Sequence, residues 1–234
     1  MSRYSLHSIF SSLAMLCLTL SSSALLMPSA FADESWERIG EENGLLLFKK
    51  DVPGSSAVAF RGEGIVEAPI LRVASILLNH EKAPEWVERL AEIRTLKRLS
   101  ASDLIEYSHI ETPIVLKDRD FLCKVHLELQ ADKKTFVIHS SSTQEYSFEN
   151  KKYVRAQLLY STFTLTSTDG GRKTHLTAEL HADPKGSVPK WIVNFFQKSW
   201  PRKAFEGVRK QAENPKFPVP VEFKEVLQKL ASWN

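Results

Sequence analysis

The sequence predicts an α+β fold in which one long, strongly curved antiparallel sheet wraps around a long C-terminal helix. Three observations carry this. A stretch near the C-terminus combines a turn with a heavily aromatic helical face. The central segments alternate apolar and polar residues with a period of two. The order of elements is helix, two strands, helix, a run of strands, then the long helix.

The C-terminal stretch runs from Asp183 to Asn214. Asp183-Pro184-Lys185-Gly186 is turn chemistry, pairing a φ-locked proline with a permissive glycine. Ser187 is read as the N-cap and Pro189 as a first-turn residue, where a missing N–H costs nothing. At 100° per residue, Val188, Trp191, Ile192, Phe195, Phe196 and Trp200 fall within one arc. Lys190, Asn194, Gln197 and Lys198 share the other side. Pro201 should kink or restart the helix, because an interior proline removes a backbone hydrogen bond. Beyond it, Ala204, Phe205, Val208 and Ala212 continue the apolar stripe on a rotated face. The segment carries six Lys and Arg against two Glu between Lys190 and Glu213, a basic back to an aromatic front.

The chain begins with an address. Arg3 and the amino terminus precede an apolar run over Leu13–Met27, and Ala30-Phe31-Ala32 fits a small-x-small cleavage site. Residues 1–32 therefore read as a signal peptide, with cleavage before Asp33, and 33–234 as a single domain. That domain keeps one cysteine, Cys123, so no internal disulfide can form. An exported chain without disulfides points to a bacterial periplasm, or to secretion, rather than to a small stapled scaffold. Without Arg3 there remain 30 Lys and Arg against 28 Asp and Glu. So balanced a charge argues against a nucleic-acid partner.

Asp33–Asn43 reads as a short amphipathic helix through Trp36 and Ile39, ended at Asn43-Gly44. Leu45–Lys50 and Ala57–Val66 read as a strand hairpin around Pro53-Gly54. Pro69 opens a helix with Ile70, Leu71, Val73, Ala74, Leu77 and Leu78 on its apolar positions, and Glu85-Trp86-Val87 extends it or forms a second. Arg89–Leu99 and Leu104–Ile110 are strands. In Phe121–Gln130 one face holds Phe121, Cys123, Val125, Leu127 and Leu129. Thr135–Ser142 follows. Tyr153–Ser167 and Lys173–Ala182 form the last hairpin around Asp169-Gly170-Gly171, with His175, Glu179 and His181 expected to face out. Such alternation means one wet face and one buried face.

Several segments resemble a known family. Thr112-Pro113-Ile114-Val115-Leu116-Lys117-Asp118-Arg119-Asp120-Phe121 is similar to the proline-containing loop and Arg-Asp-Phe signature of START domains, the steroidogenic-acute-regulatory-protein-related lipid transfer family. Asp183 to Trp191 resembles that family's turn into its last helix, and Tyr153-Val154-Arg155 and the Trp86 region match as well. The resemblance implies a helix-grip fold with a hydrophobic cavity between sheet and helix, holding a sterol, phospholipid or similar apolar ligand. One position departs. Several sterol-transferring relatives carry a buried arginine four residues after that Phe, where this chain has Val125, which weakens any inference to sterol.

No nucleophile elbow, phosphate loop or Cys-x-x-Cys is found, and the histidines are scattered, so neither a cofactor nor a metal is expected. His175 and His181 are about 20 Å apart along a strand. Asp118, Arg119 and Asp120 are read as a structural cluster that fixes a loop, and Cys123 as a small hydrophobe. The expected function is that of a monomeric, non-enzymatic carrier of a lipid or other hydrophobic small molecule, meeting membranes transiently. The ligand-lining set is Tyr107, Phe121, Cys123, Val125, Leu158, Tyr160, Trp191, Ile192, Phe195 and Phe196. Ile114, Val115 and Leu116 would form a gate loop, and Lys198, Arg202, Lys203, Arg209 and Lys210 a membrane-contact face. The alternatives are an enzyme of cyclase or hydrolase type on the same fold, with Tyr107, Tyr160 and Glu111 as acid–base groups, or a partner-binding module with a filled core.

Overall fold

The computed structural model describes residues 36–55, 57–112 and 116–233, without the side chains of 190–192 and 194–197 in the last long helix. The signal segment and the gate residues Ile114 and Val115 lie outside the described residues. Ten strands and three helices are formed: β1 Glu37–Glu42, β2 Leu45–Lys50, β3 Ala59–Val66, α1 Ile70–Leu77, β4 Leu90–Arg98, β5 Asp103–Ile110 and β6 Arg119–Gln130. The chain continues with β7 Thr135–Ser142, β8 Val154–Arg155, β9 Gln157–Thr168, β10 Lys173–Asp183, α2 Lys190–Ala212 and α3 Lys224–Ala231.

The strands make one sheet in the order β1-β2-β3-β10-β9-β7-β6-β5-β4. All these neighbours pair antiparallel, and β8 adds a short parallel pairing along β6 where β7 has ended. The pairings put Leu45, Val66, Leu176, Leu165, Phe136, Leu127, Val125 and Leu104 on one face, and all are buried in the core. Helices α1, α2 and α3 cover that face through residues including Ile70, Val73, Phe205, Val208, Val226 and Leu230.

Two glycines let helix α2 pack closely, one on the sheet and one against Trp86 after α1. A Cβ on Gly62 of β3 would stand 2.8 Å from the Cβ of Pro201. A Cβ on Gly207 of α2 would stand 2.6 Å from the Trp86 ring. Both distances are shorter than carbon contacts allow, so a side chain at either position would force the helix outward. Pro201 itself is buried, and α2 continues through it without restarting. The lost N–H bond is local, whereas the ring packs on Gly62. Pro189, not Ser187, occupies the capping position, with no side-chain cap.

Three other expectations are corrected. Residues 37–42 form strand β1, not a helix. Asn43 and Gly44, at φ 52° and 68°, are the two left-handed residues of a tight hairpin turn, so Asn-Gly closes a hairpin here and does not stop a helix. Trp36 lies under the Arg61 guanidinium, 4.3 Å from it. The long strand expected over Tyr153–Ser167 is split into β8 and β9. His181 faces outward as expected, but it is 1 % exposed because the segment around Ser55 and Ala57 covers it. Its Nε2 lies 2.9 Å from the Ser55 hydroxyl, and burial pushes its pKa down.

The Arg-Asp-Phe region is a structural clamp, as its sequence indicated. Asp120 is fully buried and accepts two 2.9 Å hydrogen bonds from the fork of Arg155 on β8. Asp118 accepts from the Thr112 amide at 2.8 Å and lies 2.9 Å from His109 Nε2. Arg119 donates to the carbonyls of Lys117, Pro184 and Lys185, joining β6 to the turn before α2. Arg155→Ala should destabilise the fold by about 3 kcal/mol, the low end for a broken buried pair because Arg155 is itself partly exposed. Urea unfolding checks this, and a loss well under about 1 kcal/mol would show that water replaces the guanidinium.

Candidate functional site

Among the described residues, a pocket of about 110 Å³ lies on the inner face between the sheet and α1. Its apolar walls are Leu104, Val125, Ile138 and Phe163 from the sheet, Ile93 at the β4 edge, and Leu77 and Leu78 from the end of α1. Phe223, from the C-terminal segment, closes one end. Phe163 also meets Trp200 of α2, their rings 5.7 Å apart, so the pocket wall continues toward the long helix.

Strand register decides which expected residues share this face. Phe121 and Cys123 lie four and two positions before Val125 in a ladder without bulges, so they face the same way. Leu158 pairs with Ala182 beyond an irregularity that skips Leu159, and this returns it to the inner face. Tyr160 pairs with His181 on the outer face, its ring 5.6 Å from the imidazole. Tyr107 pairs with Leu122, also on the outer face. There its ring packs edge-on against Phe148 and its hydroxyl accepts from Asn150 at 3.1 Å. Tyr107 and Tyr160 are therefore removed from the lining set. The side chains of Trp191, Ile192, Phe195 and Phe196 lie outside the described residues, although their backbone belongs to the first two turns of α2. Leu116 of the gate loop is half-buried. Burial drives the Cys123 thiol well above its ordinary pKa, which leaves it protonated and a packing residue.

Sequence reading missed the polar feature of the pocket. His80 follows α1, and its Nε2 lies 3.0 Å from the carboxylate of Glu106, a lining residue of β5. Its Nδ1 lies 3.5 Å from the Thr95 hydroxyl and 3.9 Å from Glu222. Both His80 and Glu106 are largely buried, and they stand beside Val125. The pair spans 26 positions of sequence, so no local motif announces it. Burial pulls the His80 pKa down most strongly. The hydrogen bond and charge of Glu106, with the charge of Glu222, outweigh burial and the opposing Arg98, and the imidazole is held above its ordinary value.

The five cations of the expected membrane face differ in what they do. Lys198 and Lys210 are exposed. Arg202 pairs with Glu206 at 2.9 Å and Glu42 at 3.7 Å, and Lys203 pairs with Glu88. Arg209 is spent on structure, because its guanidinium donates to the backbone carbonyls of Asn43 and Ile65. It is removed from the membrane-contact set.

With this geometry in view, comparison with known proteins places the chain in a class. The START domain family profile matches residues 25–216, and the chain belongs to that family. An uncharacterized protein of Pseudomonas aeruginosa is 28 % identical over 180 residues, covering 77 % of this chain and 88 % of the relative. The phosphatidylcholine transfer protein of Bos taurus is 22 % identical over 197 residues, covering 82 % and 91 %. Among solved structures, human StAR-related lipid transfer protein 5 superposes with a TM-score of 0.70 at 16 % identity, covering 76 % of this chain and 86 % of that one. A STAR-related lipid transfer protein fragment from Xanthomonas axonopodis superposes at 0.67 with 21 % identity, covering 76 % and 98 %. The helix-grip architecture read from the sequence is the observed one.

The His80 pair gives a pH test. Its folded-state pKa is raised, so its contribution is fully present below the ordinary value of 6.5 and is lost as pH rises through the raised one. Between about pH 6 and 8 the melting temperature of Glu106→Gln should fall less than that of the wild type, by about 2–4 °C for each kcal/mol of coupling. Parallel curves would show that the pair contributes no linkage.

Proposed function

We propose that this START protein binds a hydrophobic ligand, a lipid, sterol-like or fatty-acyl molecule, on the inner face of its sheet, in the pocket against α1 whose wall continues toward α2, and carries it as a monomer in the periplasm. The observation that carries the reading is the inner-face pocket, largely apolar on its walls, with the Ser140 hydroxyl and the His80–Glu106 pair as its polar groups. That is the composition of a site for an amphiphile: apolar surface supplies affinity and a few polar groups fix orientation. Burying roughly 300–400 Å² of ligand surface is worth about 7–10 kcal/mol before association costs. Similarity to the phosphatidylcholine transfer protein favours a phospholipid-like ligand, and the absence of a cation at position 125 argues against the sterol anchor. Of the groups considered for catalysis, Tyr107 and Tyr160 face away from the pocket and Glu111 is exposed, so the three do not converge on it.

Protein purified from the periplasm of its host should begin at Asp33 and yield lipid on solvent extraction and mass spectrometry. Val125→Arg should lose that lipid while still melting cooperatively, because an unpaired charge among apolar walls is tolerated only if water replaces the ligand. Unchanged lipid content in the variant would show that Val125 does not line the binding site.

The membrane reading rests on access. A buried lipid leaves only if an element moves; α2, which packs on the inner face, would be that element, with Ile114, Val115 and Leu116 as the expected gate. Lys198, Arg202, Lys203 and Lys210 would meet anionic headgroups at about 1 kcal/mol each, an attraction that salt screens. Reversing Arg202 and Lys203 to Glu should slow lipid transfer between anionic vesicles by about tenfold while leaving equilibrium lipid binding nearly unchanged. Transfer indifferent to both salt and charge reversal would refute this docking face.

A further inference from the structure

The pocket ends on a residue that lies past the family match. Phe223 closes a 3-10 turn, Val221–Phe223, beyond position 216 where that match stops. Its ring is 2 % exposed and borders two spaces at once. On one side is the inner pocket of about 110 Å³. On the other is an outer cleft of about 430 Å³ between the β4–β5 turn and the start of α3. Phe223 is the partition between them.

Side chains hold this partition in place. The His80 ring meets Phe223 edge-on at 5.5 Å, and the Arg98 guanidinium lies 4.9 Å from its centroid. Arg98 also donates to the backbone carbonyl of Glu222 and to its carboxylate. Further along, Arg72 and Asn79 of the α1 region donate to the carbonyls of Phe217 and Pro218. Val221 beside the ring is 85 % exposed, and Leu99 across the cleft is 43 % exposed. The cleft therefore has apolar surface with a charged rim of Arg98, Glu222, Lys224 and Glu225.

Volume decides what the partition does. The inner pocket falls below the ~300–1,000 Å³ of sites that enclose a ligand, whereas pocket and cleft joined fall within it. We propose that Phe223 is the size-determining residue of the ligand site, closing the pocket behind short apolar chains and swinging aside to pass longer ones into the cleft. This rests on the reading of the protein as a carrier of hydrophobic ligands. The polar pair does not obstruct such a chain, because His80 and Glu106 satisfy each other.

The test is displacement of a fluorescent fatty acid from the full mature protein by saturated fatty acids from decanoic to arachidic. Wild type is compared with Phe223→Ala, Phe223→Leu and Phe223→Trp. Phe223→Ala should improve the affinity for the longest acid relative to the shortest by about tenfold. Phe223→Leu should do so by less, and Phe223→Trp should shift the ratio the other way. If the alanine variant loses its cooperative melt, the leucine and tryptophan variants decide by the opposite sign of their shifts. An identical chain-length profile in the folded variants overturns the proposal, as does unfolding of all three, which would make Phe223 a core residue only. If the wild type binds no acid of any length and the purified protein yields no extractable lipid, the carrier reading fails first and takes this inference with it.

Discussion

The position of α2 is the constraint on which the inner face depends, and three contacts set it. At its start, Arg119 draws the carbonyls of Lys117, Pro184 and Lys185 together, so the turn after β10 is fixed to the edge of β6. Midway, Pro201 sits on Gly62 of β3. Near its end, Arg209 binds the carbonyls of Asn43 and Ile65 at the far side of the sheet. A helix held at both ends and resting at its middle on one side of a curved sheet cannot lie flush along the whole of it. The pocket lies away from the Pro201 contact, toward β4–β7, where the walls come from Leu104, Val125, Ile138 and α1.

The polar content of that pocket follows from the same geometry. A carboxylate on an inner sheet face is costly unless it is paired and hydrogen-bonded. Glu106 is inward because it stands opposite Cys123 in the ladder, two residues from Leu104. His80, presented by the chain leaving α1, supplies the partner, and Thr95 and Glu222 occupy its other side. The polar pair of the pocket thus stands beside position 125, on residues from two different elements. A ligand's hydrogen-bonding group would meet here an imidazole, which donates, and a carboxylate, which accepts.

Much of this was legible in the sequence because period-two alternation is a strong signal in a one-face-wet sheet. Strands β2 to β7 and β10, helix α1 and the Phe205–Val208 stripe were readable for that reason. The failures have separate physical causes. Asn43-Gly44 suits both a helix C-cap and a hairpin turn, and only the pairing of β1 with β2 separates the two. Tyr107 and Tyr160 are aromatic residues in the right strands, but facing depends on cross-strand register, and the skipped Leu159 reverses parity within β9. His181 was assigned outward from alternation alone, and the outer face at that point is covered by the segment around Ser55 and Ala57. The α3 segment carried a readable pattern in Val226, Leu227 and Leu230, masked by the proline-rich run that precedes it. His80 with Glu106 and Phe223 were beyond reach, since each acquires its role only when distant elements meet.

The ion pairs on the outer side of α2 bear on how the helix could leave the sheet. Arg202 reaches Glu42 at the end of β1, and Lys203 reaches Glu88 just after Trp86, so both tie the middle of the helix to its neighbours. Each is partly exposed, and such pairs contribute about 0–1 kcal/mol. An anionic surface offers each cation about 1 kcal/mol, a comparable amount. On the membrane reading, exchanging a carboxylate for a lipid phosphate would be nearly neutral in free energy and would untie the helix at the moment of contact. Arg209 would not take part in this exchange, since the backbone carbonyls of Asn43 and Ile65 hold it. On the membrane reading, the first half of α2 would therefore move while Phe205, Val208 and Arg209 stay in place, with the pivot near Pro201, where the helix already lacks one backbone hydrogen bond.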